Sequence, residues 1–146
     1  MKEADIRWIQ RFANFRKALA KLEEGIKTLQ IEHVTDLEKE GLIQRFEYTY
    51  ELAWKTLQDL LKHKGYQDIA GPNPTLEQAF IDGYIENGQV WKQMKKSRDL
   101  STHTYNEETA DDIFKQIVDC YFDTFKALEA RLEQERYGKQ RNLFEA

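Results

Sequence analysis

Arg98 and His103 stand five residues apart in Arg98-Asp99-Leu100-Ser101-Thr102-His103-Thr104-Tyr105, a polar stretch that follows the basic segment Trp91-Lys92-Gln93-Met94-Lys95-Lys96-Ser97. An Arg and a His converging on a phosphate suit metal-independent RNA cleavage. An imidazole titrates near neutrality and can move the proton of a 2′-OH or of a leaving oxygen. A guanidinium fork matches phosphoryl oxygens as charge builds on them. Lys92, Lys95 and Lys96 share one face if their segment is helical, and would bind an anionic substrate beside the pair. On one continuous helix, positions 98 and 103 lie roughly 140° apart, so they converge only if the helix ends between them. The turn-forming residues 99–108 fit such an end. The spacing alone singles out no site. An exposed Arg beside a solvated His is the commoner outcome of such a pattern, and the Tyr105 ring could simply cover a bundle end.

Other chemistries find little support. His33, His63 and His103 fall in three separate segments, none with a Cys or carboxylate at metal-site spacing, so no metal and no cofactor are expected. Glu47 and Glu51, one helical turn apart, read as a solvated or salt-bridged pair rather than a cation site. Cys120 has no neighbouring His and reads as structural. Gly83 and Gly88 fit neither the P-loop nor the dinucleotide pattern. A net charge of −4 argues against constitutive coating of nucleic acid but leaves room for a local basic site. No apolar run is long enough to span a membrane, and the N-terminus has no apolar signal segment. With one Cys in 146 residues, the expectation is a cytoplasmic protein in a reducing compartment.

The elements that must position these groups read as helices. Charged residues are 33% of the chain while Gly and Pro number seven and two, which favours long helices over turns. Phe12, Phe15, Leu19, Leu22, Ile26 and Leu29 step by three and four along a first helix that ends near Gln30. Thr35-Asp36-Leu37-Glu38 is a capping box for a second helix running to about His63, with Ile43, Phe46, Tyr50, Trp54, Leu57 and Leu61 as its stripe and Gly65 as its stop. Residues 65–75 read as a loop, since Gly71-Pro72-Asn73-Pro74 cannot continue a helix, and Thr75-Leu76-Glu77-Gln78 as a second capping box. The short helix after it turns Leu76, Ala79, Phe80 and Tyr84 inward and closes at Asn87-Gly88. Val90 to about Arg98 forms a further short helix or an extension of this one, and residues 99–108 a structured turn. Asn106 or Thr109 caps the last helix, whose stripe is Phe114, Val118, Tyr121, Phe125, Leu128 and Leu132 and which frays around Gly138.

Three long helices of roughly 40 Å and one broken helical segment imply an all-α antiparallel four-helix bundle, up-down-up-down, over residues 1–137, with 138–146 as a mobile tail. The second helix is apolar beyond one stripe. Tyr48, Leu52 and Leu60 lie around from the main face and suggest a subunit interface; a thicker core that includes the broken segment is the alternative.

Two stretches carry a resemblance. Phe46-Glu47-Tyr48-Thr49-Tyr50-Glu51-Leu52-Ala53-Trp54-Lys55, and Trp91 through Ala110, are similar to the nucleotidyltransferase substrate-binding family, a branch of the HEPN superfamily (higher eukaryotes and prokaryotes nucleotide-binding). The likeness covers essentially the whole chain before the tail. It implies a homodimeric antiparallel four-helix bundle, working with a separate minimal nucleotidyltransferase chain that carries the Gly-Ser and paired-Asp chemistry. This chain would then be the non-catalytic, substrate- or nucleotide-binding subunit. The superfamily also holds ribonuclease toxins with an Arg, a short spacer and a His, the pattern of Arg98 and His103. In some such pairs the partner silences the toxin by adding AMP to a Tyr two residues after the His, the place of Tyr105. That second implication is a metal-independent ribonuclease acting on RNA.

Overall fold

Thr35 opens a helix in the way its spacing from Glu38 requires. Its hydroxyl accepts from the Glu38 N–H at 3.1 Å, and the Glu38 carboxylate accepts from the Thr35 N–H at 3.0 Å. We expect Thr35→Ala to cost about 1 kcal/mol, read as a lower urea midpoint with an unchanged slope.

The computed structural model describes the backbone of residues 3–103 and 106–145 and the side chains of residues 7–102 and 106–137. Helix α1 spans Glu3–Thr28, and a 3-10 turn Ile31–His33 leads to α2, Asp36–His63. Then come α3, Pro72–Ile81, and α4, Gly88–His103. Helix α5, Glu107–Gln116, passes through a π-helical turn, Ile117–Tyr121, into α6, Phe122–Glu145. The last three form one rod, which makes five helices and no strand among the described residues. None is long and apolar enough to cross a membrane.

Side-chain pairings give the directions. Arg11 meets Asp59 while Arg45 reaches the Lys21 carbonyl, so α1 and α2 run oppositely. Trp91 packs on Tyr50 while Ser101 bonds Glu47, so α4 opposes α2. Lys39 pairs with Asp111 and Lys64 with Glu135, so the last rod runs along α2. The four long elements thus alternate in direction along the chain. Aromatic rings tie them together: Phe46 lies 5.2 Å from Tyr121 and 6.1 Å from Phe125, and Phe125 meets Phe15 at 6.2 Å and Trp91 at 5.9 Å.

Several boundaries differ from the sequence expectation. α3 begins at Pro72, not at a Thr75 box. Proline suits a first helical turn, where its missing N–H has no partner to lose. Thr75 instead donates its hydroxyl back to the Gly71 carbonyl. α3 closes at Gly83 (φ 82°), where Tyr84 N–H bonds the Ala79 carbonyl and Gly83 N–H the Phe80 carbonyl. Gly88 therefore opens α4 rather than ending α3. Phe80, expected inside, is 50% exposed. α4 extends to His103, through half of the expected turn, because Thr102 donates its hydroxyl to the Arg98 carbonyl and Ser101 donates its own to Glu47 on α2 instead of breaking the helix. Asn106, not Thr109, caps α5, accepting from Thr109 N–H at 2.8 Å. The π turn takes up extra residues, so fully buried Ile117 takes the core place read for Val118. α6 continues past Gly138.

α2 is buried on most sides because α1, α3, α4 and α5 all pack on it. Leu52 and Leu60, expected at a subunit interface, are therefore inside this chain's own core, and only Tyr48 remains exposed. The thicker core accounts for the second stripe. Tyr48 lines a recess between α1 and α2 with Lys17, Lys21 and Arg45.

Candidate functional site

The last turns of α4 lie across the middle of α2 and bring charged groups together. The Arg98 guanidinium, 35% exposed, sits 3.4 Å from Glu51 on α2 and 3.4 Å from its neighbour Asp99. Asp99 also accepts from Lys95 Nζ at 3.0 Å. Burial opposes ionisation of Asp99, but Lys95 and Arg98 outweigh it and hold the carboxyl below its ordinary value. Glu51 in turn accepts from the Trp54 indole N–H at 3.1 Å, which fixes the carboxylate that faces Arg98. One turn earlier on α2, Glu47 accepts from the Ser101 hydroxyl, bracing α4 against α2. Glu47 and Glu51, read from sequence as a salt-bridged or solvated pair, thus frame α4. Among the described residues no His, Cys, Asp and Glu cluster is placed to hold a metal ion.

Behind this frame lies Tyr50, 1% exposed, whose hydroxyl has no hydrogen-bond partner among the described residues. Burial above all, then the charges of Glu51 and Asp99, push its phenol well above the ordinary range, against the pull of Arg98. An unpaired buried hydroxyl is a stability cost. Tyr50→Phe should be neutral or stabilising by up to about 1 kcal/mol in chemical denaturation; a loss of that size would show that a bound water partners the hydroxyl.

Lys92 and Lys96 are exposed and form no ion pair among the described residues, whereas Lys95 is engaged by Asp99. His103 is the last residue of α4; its side chain, and all of Tyr105, lie outside the described residues. Because α4 does not end between positions 98 and 103, the two are about 140° apart around one helix. Convergence within one chain by a helix break, the sequence expectation, is therefore not how α4 arranges them. The framing role of Glu51 was not legible in the sequence, since its contact with Arg98 depends on how α4 crosses α2.

Next to Arg98 opens a groove of about 1160 Å³ between α3 and α4. Lys92, Lys95, Lys96 and Asp99 line one side, Leu76, Glu77 and Phe80 the other.

Residues 10–134 match the family described as nucleotidyltransferase substrate binding protein like, a span that includes Arg98, His103 and Tyr105. A Haemophilus influenzae protein named "Probable ribonuclease HepT" is 30% identical over 101 residues, covering 66% of this chain and 69% of that protein. A crystal structure of a Thermus thermophilus protein superposes with a TM-score of 0.72 at 34% identity, covering 81% of this chain and 98% of the other. With a family match over most of its length and a solved relative of the same fold, this chain belongs to the nucleotidyltransferase substrate-binding-like family of HEPN-like proteins.

Proposed function

We propose that the chain is a metal-independent endoribonuclease, restrained by a separate minimal nucleotidyltransferase that transfers AMP to Tyr105. The observation that carries this reading is the partly exposed Arg98 guanidinium, braced by Glu51 and Asp99 near the end of α4, five residues before His103. A relative named as a probable ribonuclease supports it. Arg98 neutralises charge on the scissile phosphate, and His103 moves the proton of the 2′-OH or the leaving oxygen. Since the two positions diverge on one helix, the working unit is a homodimer that sets two α4 ends along one cleft. Lys92 and Lys96 supply the basic face beside it, while Lys95 is held by Asp99.

In the restraint step the Tyr105 hydroxyl oxygen attacks the α-phosphorus of ATP. A phosphodiester to AMP forms, pyrophosphate leaves and the phenolic proton passes to solvent. The added anion and bulk then repel RNA phosphate from the same cleft. The family description favours a second reading, in which the chain is a non-catalytic substrate-binding subunit of the nucleotidyltransferase pair.

Cleavage of total tRNA by the purified protein in EDTA separates the two. The ribonuclease reading expects cleavage, and its loss after incubation with the partner and ATP, together with a mass gain of one AMP that Tyr105→Phe abolishes. No cleavage by the wild-type dimer overturns it and leaves the subunit reading, for which co-purification with the nucleotidyltransferase is the check.

A further inference from the structure

The α3–α4 groove has three features that the cleavage chemistry itself does not need. First, it carries an exposed aromatic. The Phe80 ring lies against Gly88, where an added Cβ would meet it at 3.5 Å, yet half its surface is open. Second, the α4 side presents two cations, Lys92 and Lys96, that have no ion partner among the described residues and stand one helical turn apart. Third, the groove runs into the candidate site, because Asp99 lines it and also contacts Arg98. Its volume of about 1160 Å³ lies above the range of about 300–1,000 Å³ typical of small-molecule pockets.

We propose that this groove seats a single-stranded stretch of RNA, one base stacking on Phe80 and two phosphates following Lys92 and Lys96 toward Asp99 and the C-terminal end of α4. This rests on the ribonuclease reading and extends it to the path of the substrate. Aromatic platforms beside a basic track are what sequence-tolerant single-strand binding requires, since every base has a stacking face. Lys95 is not part of the track, because Asp99 holds its ammonium. Glu77 and Glu86 line the groove too, and they keep the phosphates on the α4 side. The same carboxylates argue for a short contact of few phosphates, in keeping with a chain of net charge −4.

The test is fluorescence anisotropy of a labelled 12-nucleotide single-stranded RNA on the full-length His103→Ala protein, which holds substrate without cutting it, over a salt series. Phe80→Ala should weaken binding at least about fivefold. Lys92→Gln with Lys96→Gln should flatten the plot of log affinity against log salt by about 1.4, at about 0.7 per phosphate on a single strand. In the cleaving background the same changes should raise KM and spare kcat. These substitutions are on exposed positions, and an unchanged melting temperature confirms that the fold survives them. If the wild type cleaves RNA while all these variants bind and cleave as it does, the groove assignment is overturned and the ribonuclease reading stands. If the wild type neither binds nor cleaves, both fall. If RNA affinity is unchanged but the variants lose self-association or the nucleotidyltransferase, the groove is a protein interface and the assignment is likewise overturned.

Discussion

On the ribonuclease reading, His103→Ala should lower RNA cleavage in EDTA by about 10²–10⁴-fold, the usual contribution of a positioned general acid or base. Arg98→Ala should lower it by on the order of 10²–10³, the scale of removing one donor from a developing oxyanion. The two effects differ in kind. Losing the imidazole removes a proton carrier and should leave RNA affinity nearly intact. Losing the guanidinium also strips Glu51 and Asp99 of their shared cation, leaving two carboxylates facing the phosphate, so affinity should fall with rate. Initial rates and anisotropy on the same preparations separate them. A His103→Ala protein that cleaves like the wild type would remove the ribonuclease reading altogether. Because positions 98 and 103 lie on different sides of α4, mixing the two single variants is informative. A dimer that builds its site from both chains regains part of the activity in the mixed species, whereas a site built within one chain does not.

Phe46→Ala should destabilise the fold by about 3–5 kcal/mol, the cost of emptying a fully buried aromatic site. Phe46 is 0% exposed and its ring meets Tyr50, Tyr121 and Phe125, thereby joining α2 to the π turn and to α6. The neighbours are themselves large rings, so the void closes poorly and the upper half of that range is expected. For a domain of this size the melting temperature should drop by roughly 6–20 °C. Calorimetry at one fixed protein concentration is the measurement, because in the proposed homodimer the midpoint would depend on concentration. A change below about 1 kcal/mol would mean that the aromatic cluster repacks and that Phe46 is not its hub.

Local chemistry explains what was legible in the sequence. The Thr35–Glu38 box and the Gly65 stop of α2 both involve atoms within a few residues of each other, and both are present. The stripes on α1 and α2 follow from the 3.6-residue period alone, and Phe12, Phe15, Leu19, Phe46, Tyr50 and Leu57 are all buried. The misreadings near 71–75 and 99–103 share one cause. Pro, Ser and Thr read as helix breakers, but Pro is neutral in a first turn and Ser and Thr can bond back to the preceding turn. That longer α4 alters the candidate site, because it separates positions 98 and 103.

By itself, then, the sequence determined an all-helical chain, the ends of α2, the core stripes, and the Arg98, His103 and Tyr105 string that signals the family. Tertiary structure alone decided the rest. Periodicity tells which side of a helix is apolar but not what covers it, so Leu52 and Leu60 read equally well as an interface or as the core they occupy. Nor does it tell which distant carboxylate meets Arg98, or that Phe80 stays half exposed beside Lys92 and Lys96. Those depend on how α3 and α4 are laid across α2 by packing between residues far apart in the chain.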